Sequence, residues 1–220
     1  MNKADAIKAI DRHGMLLVFP IDNRPEPASL WSVFYPRSKM RWEWDEGGDN
    51  RVSDLWFLRE QLSISRKVIY AKWFRGRATL FSRELFTALL ATYMRQPKFR
   101  ALSKDARALL SLLEENSPQS TKQLKKQSEL VGRALEPTYN KALQELWSRC
   151  LIVAFGEVDE GAFPSLAIGA TRLVFEEIYL EAQAMPASEA QILLAGPFSE
   201  SPLLEKQHQK ILSRLNSATL

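Results

Sequence analysis

The chain has 220 residues, 45% hydrophobic and 25% charged, which suits one or two domains whose core needs no metal or disulfide staple. One cysteine and two histidines exclude a secreted disulfide scaffold and a structural zinc site built from the usual ligands, and they fit a reducing, cytoplasmic home. The net charge of +4 is uneven: residues 1–156 carry 26 bases and 17 acids, a net of +9, and from Glu157 onward nine acids face four bases, a net of −5. A basic body with an acidic C-terminal part fits a polyanion partner for the first and a protein partner for the second.

Residues 3–13 read as a helix with Ala6, Ile7 and Ile10 on one face, stopped by Gly14. With acids in that helix and no small-residue cleavage site, the N-terminus does not read as a signal peptide. No run of 18 apolar residues follows anywhere, so no membrane span is expected. Met15 to Phe19 reads as a strand closed by Pro20. Ser29 is placed to cap a short helix from Leu30. Trp31, Phe34, Trp42 and Trp44 make this stretch aromatic, and residues 46–50 read as a turn. Ser53 opens a helix to Leu62. KVIYAKWF, Arg75-Gly76 and RATLF then read as a hairpin. Ser82 caps a helix with Phe86, Leu89, Leu90 and Tyr93 in one stripe, ended at Gln96-Pro97.

Two basic runs stand out. Arg66, Lys67, Lys72, Arg75, Arg77 and Arg83 fall between Ser63 and Arg83 with no acid among them, interleaved with Tyr70, Trp73, Phe74 and Phe81. That mixture predicts a strand pair with one face in a core and the other toward phosphates. Arg95, Lys98, Arg100, Lys104 and Arg107 follow, against one acid, Asp105.

Residues 104–169 form the clearest unit. Ala106, Leu109, Leu110 and Leu113 stripe a first helix. Ser120 and Gln123 make a capping box for a second, with Leu124 and Val131 inward. A third opens at Pro137, striped by Leu135, Tyr139, Ala142, Leu143 and Leu146. LIVAF and FPSLAI follow as two strands around a loop carrying Glu157, Asp159 and Glu160. Three helices followed by a hairpin is the order of a winged helix, whose third helix enters the major groove. Its outer face would present Thr138, Asn140, Lys141, Gln144, Glu145 and Ser148. Lys122, Lys125, Lys126 and Arg133 flank it as phosphate contacts. The acidic wing loop would repel phosphates, which shifts the expected contacts to Arg75, Arg77, Lys125, Lys126 and Lys141.

Beyond this unit, Val174, Ile178 and Ala182 stripe a helix broken by Pro186. A short helix, ASEAQILLA, follows, and then a terminal one with Leu204, Ile211 and Leu215 inward. The expected fold class is α+β, mainly α, a winged helix-turn-helix. The expected domains are an N-terminal α/β module (1–100) that could be a second, degenerate winged helix, a winged-helix domain (101–169) and a C-terminal helical segment (170–220).

Candidates for chemistry are few. His13 reads as a helix-end group and His208 as a solvated one, without partners for a triad. Cys150 reads as buried and inert. GGDN is a turn rather than a phosphate loop. Glu43, Asp45, Glu46 and Asp49 read as a solvated turn rather than a cation loop. No catalytic residue, metal ligand or cofactor is assigned.

The segment ARALLSLLEENSPQSTKQLKKQ…YNKALQELWSRCLIVAFGE resembles the winged-helix segment of the bacterial winged-helix DNA glycosylases, enzymes that unhook crosslinks and remove alkylated bases. LLVFPI, SLWSVF, LREQL and YAKWFRGRATLFSRELF are similar to relatives of those enzymes, and together the likeness covers most of residues 12–180. It implies tandem winged helices and a catalytic Gln-x-Asp or Gln-x-Gln near the first of them. Gln61, Gln96 and Gln119 lack that pattern; Gln207-His208-Gln209 matches the string but lies in the terminal helix. The reading that follows is a cytoplasmic, DNA-associated winged-helix protein that binds duplex mainly through phosphates and is not an enzyme. A repair glycosylase or a remnant of one, and a protein-interaction module, are the alternatives.

Overall fold

The computed structural model describes residues 2–42, 49–158 and 164–216. Helix α1 (Lys3–His13) starts where the Asn2 side chain accepts the Asp5 N–H, and ends at Gly14 with φ +72°. A Cβ at Gly14 would come within 2.9 Å of both Leu85 and Pro197, so the position needs glycine for space as well as for its dihedral. Strand β1 (Met15–Leu17) follows, then α2 (Leu30–Phe34), opened by a Ser29/Ser32 capping box. Helix α3 (Asn50–Ser63) leads into β2 (Val68–Phe74) and β3 (Arg77–Ser82). Arg75 and Gly76 both have positive φ, 50° and 75°, and make the two-residue turn of that hairpin. Ser82 caps α4 (Arg83–Met94), which is buried nearly all round and runs through the middle of the molecule.

The second half begins with α5 (Lys104–Glu115) and a two-residue strand, β4 (Gln119–Ser120). Helix α6 (Thr121–Gln127) opens on the Ser120/Gln123 capping box, and α7 (Glu136–Ser148) has Pro137 in its first turn. Strands β5 (Ile152–Val158) and β6 (Ser165–Ala170) complete a winged helix. Leu109, Leu113, Leu124, Leu143 and Leu146 meet in one core, as their spacing predicts. The fold is α+β and mainly helical, with eleven helices and six strands among the described residues.

The six strands form one antiparallel sheet in the order β1-β3-β2-β5-β6-β4. The element order helix, strand, helix, helix, strand, strand occurs twice, over α1–β3 and α5–β6. In each run the first strand pairs with the last, and the two middle strands meet at Tyr70↔Ala154. The sheet therefore crosses residue 100 without interruption.

The remaining helices are α8 (Thr171–Val174), α9 (Glu176–Ala184), α10 (Ala187–Glu200) and α11 (Pro202–Asn216). Helices α9 and α10 pack on α4. Val174, Ile178 and Ala182 are buried as read, although the chain breaks its helix at Phe175, between α8 and α9.

Several expectations are corrected. Asp49, not Ser53, caps α3: its carboxylate takes the Arg51 N–H, whereas the Ser53 hydroxyl is spent on the Asn50 carbonyl. Strand β2 is buried on both faces rather than one, because it is an inner strand with α3, α4 and α7 packed against it. Arg66 and Arg83, at the surface on either side of the hairpin, are engaged within the chain. Arg66 donates to the Val174 carbonyl at 2.9 Å and lies over Phe155 and Phe175, and Arg83 pairs with Glu177 at 3.2 Å. Val131 and Leu135 are exposed, since α6 ends at Gln127 and α7 begins only at Glu136. Helix α10 runs past Ala195 through Gly196-Pro197. His208 is 5% exposed rather than solvated. Trp44 and the acids Glu43, Asp45 and Glu46 lie outside the described residues, as do Asp159 and Glu160 of the wing.

Candidate nucleic-acid interface

Helix α7 turns its buried stripe, Tyr139, Ala142, Leu143, Leu146 and Trp147, toward α5 and the sheet. Tyr139 is anchored through its hydroxyl, which donates to the Thr121 carbonyl at 2.8 Å; burial raises its pKa well above the usual phenol range. This fixes the helix and leaves Asn140 and Lys141 exposed, with Thr138 and Gln144 half-buried. The Asn140 amide reaches back to Glu136 at 3.4 Å.

The hairpin turn comes close to the same helix. A Cβ at Gly76 would sit 3.2 Å from Gln144 Oε1, so the turn needs glycine both for φ and for the approach. Arg75 and Arg77 at that turn are exposed, and the Arg75 guanidinium lies 5.1 Å from the Phe74 ring centre. Helix α11 closes the third side, held in part by Gln207 Nε2 donating to the Trp73 carbonyl at 3.3 Å.

Between them is a groove of about 670 Å³ lined by Arg75, Lys141, Gln144, Lys210 and Arg214. Its wall also holds the Glu145–Arg149 ion pair at 2.7 Å. Five bases against one acid give these lining side chains a net charge of +4. Arg149 is half-buried and spends its other donors on the carbonyls of Lys98, Phe99 and Ala101. Burial lowers its pKa, and Glu145 opposes that shift. Arg149 is thus a tie between α7 and the chain before α5, and the outward-facing bases are the other four.

The expected contacts divide into groups. Arg75, Lys141 and Gln144 come together in the groove, and Arg77 stands at the same turn. Thr138 and Asn140 lie on the first turns of α7. Lys122, Lys125 and Lys126 lie on α6, and Arg133 is exposed in the connection from α6 to α7. Lys125 is engaged by Glu136, whose carboxyl it holds below the usual range, and lies 5.6 Å from the Tyr139 ring centre. Glu157 does not belong to a solvated acidic wing: it forms a buried ion pair with Arg59, which lies 3.9 Å over Trp56.

Lys210 and Arg214 were not expected here. Their signal is a basic stripe at four-residue intervals, Lys206, Lys210 and Arg214, hidden by the acidic average of the C-terminal part.

Among the described residues there is no cluster of three or more His, Cys, Asp or Glu that could hold a metal, and no helix long and apolar enough to cross a membrane. Cys150 is fully buried, and burial raises its thiol pKa well above the usual range. No curated protein and no solved structure matches the chain. A family model described as "AlkZ related" matches residues 1–212. Nearly the whole chain is covered, the winged helix included, and the chain belongs to this AlkZ-related family.

Proposed function

We propose that this protein is a cytoplasmic, DNA-associated winged-helix protein that grips duplex mainly through its phosphates. The observation that carries the reading is the groove where Arg75, Lys141, Lys210 and Arg214 converge from three separate elements. Phosphate contacts hold a duplex in register without reading its sequence. Asn140, Lys141 and Thr138 on the first turns of α7 are the groups offered to base edges. Gln144, close against Gly76, helps set the spacing of hairpin and helix. Lys122, Lys126 and Arg133 extend the basic face along α6. The repeated element order supports two winged modules joined edge to edge.

Fluorescence anisotropy with a duplex tests this. Binding weakens steeply with salt, with a log–log slope near −0.9 for each phosphate contact. Charge reversal of Arg75 and Arg77 together weakens binding about equally on all sequences and flattens the slope by about two units. A salt-independent affinity, or no binding at about 50 mM salt and about 100 μM protein, removes the reading. Capture of a protein ligand through the acidic C-terminal part under those conditions favours an interaction module instead.

Membership of the AlkZ-related family favours one second reading, a base-excising enzyme or its remnant. Against it stands the absence of a Gln-x-Asp or Gln-x-Gln string from residues 1–206. We therefore expect the purified protein to leave alkylated bases in a duplex. Release of such a base, abolished by one substitution in the protein, establishes the enzyme.

A further inference from the structure

A second groove, of about 620 Å³, lies between α4, α10 and α11, away from the hairpin turn. Its apolar surface comes from Leu194, Phe198 and Leu212, and His208 lines it too. The His208 ring stacks on Phe198, with centroids 4.7 Å apart and planes at 21°.

The tautomer of His208 follows from the donors behind it. Trp73 Nε1–H can only donate, and it meets Tyr93 Oη at 3.3 Å. Tyr93 is fully buried, and the acceptor within reach of its proton is His208 Nδ1, at 3.0 Å. Nδ1 therefore accepts, and the ring proton sits on Nε2. Nε2 has no protein partner among the described residues. It is also not sealed away like Arg59 Nε and Gln119 Oε1, the buried side-chain polar atoms there that lack one. Nε2–H thus opens on the groove as a fixed donor backed by a buried relay. At the rim, Arg95 and Glu205 supply one charge of each sign.

We propose that this groove binds an uncharged, planar aromatic molecule carrying a carbonyl acceptor. The ring lies along Phe198 and Leu194, and the carbonyl takes the His208 Nε2–H. An apolar strip, here Leu194, Phe198 and Leu212, beside a few polar groups such as His208, Gln191 and Gln209 is the usual make-up of a small-molecule site, and the volume is in the usual range. A rim of balanced charge gives an anion no advantage. The inference is independent of DNA binding, and its test uses none.

The test is a long-range nitrogen–proton spectrum of protein labelled at histidine, in which the two signals are told apart by a His13→Asn variant. The probe is benzamide, compared with benzoate. The expected result is a protonated Nε2 on His208 and a saturable benzamide shift with half-saturation at or below about 10 mM. Benzoate binds at least about fivefold more weakly, because Glu205 offsets Arg95 at the rim and the carboxylate loses its hydration without a net gain in charge pairing. Ala195→Trp, a change at an exposed lining position of α10, abolishes the benzamide shift and leaves the tautomer as it was. A proton on Nδ1, unmoved His208 signals at about 20 mM benzamide, or equal binding by Ala195→Trp each overturns the proposal.

Discussion

Keeping His208 neutral makes stability depend on pH. Burial pushes its pKa down to about 4, against about 6.5 in an unfolded chain. A group whose pKa is lowered in this way binds its proton better when the chain unfolds. Its burial is therefore without penalty above pH 6.5, and stability is lost as pH falls from 6.5 toward 4. With these two values the loss is about 1.4 kcal/mol at pH 5.5 and about 2.5 kcal/mol at pH 4.5, both relative to pH 7.5. His208→Gln removes the titration while keeping a side chain that can accept the Tyr93 proton. Urea melts of both proteins at pH 7.5, 5.5 and 4.5 isolate the effect, because the two chains differ at this one residue. The stability difference between wild type and variant should shift by those amounts against wild type. A shift below about 0.5 kcal/mol at pH 4.5 refutes the assignment of a buried neutral imidazole.

Other substitutions probe the frame of the fold. Leu143→Ala, in the core shared by α5, α6 and α7, should cost about 2–5 kcal/mol in a urea melt with the slope unchanged. Glu157→Ala leaves the Arg59 guanidinium buried without its carboxylate and should cost about 3–5 kcal/mol, far more than a change in a solvated wing would. Gly76→Ala should cost about 1–2 kcal/mol through its positive φ, with an added penalty from the approach to Gln144. Thermal melts of Gly76→Ala, compared with Gly132→Ala, separate contact from dihedral: Gly132 has φ +97° but open space around it.

Much of the frame was legible because it follows from local chemistry. The Ser29, Ser82 and Ser120 caps, the Arg75-Gly76 turn and the leucine spacing of α5 to α7 each rest on residues within a few positions of one another. Apart from the cap of α3 and the ends of α6 and α7, the main failures needed a tertiary partner. His208 occupies the same stripe as Leu204, Ile211 and Leu215, so its position marked it as buried; its residue type suggested solvent, and only Tyr93, 115 positions away, reverses that. The short helix ASEAQILLA read as ending at Ala195, but it runs on through Pro197. That proline sits inside α10, packed against the space a side chain at Gly14 would need. Glu157 read as a surface charge because Arg59 lies 98 residues from it. The groove was half visible: Arg75, Lys141 and Gln144 could be named, but the arrival of α11 beside them could not.

The open sheet has its own consequence for behaviour at high concentration. Its two outer strands, β1 and β4, are three and two residues long, whereas each of the four longer strands has a strand neighbour on both sides. An unpaired strand edge is a template on which other chains can add and polymerise. Here the outermost strands present few backbone groups at either margin, and Leu17 already bridges to Ser29 at one of them. Among the described residues, the six-stranded sheet thereby ends in short margins, which limits strand addition.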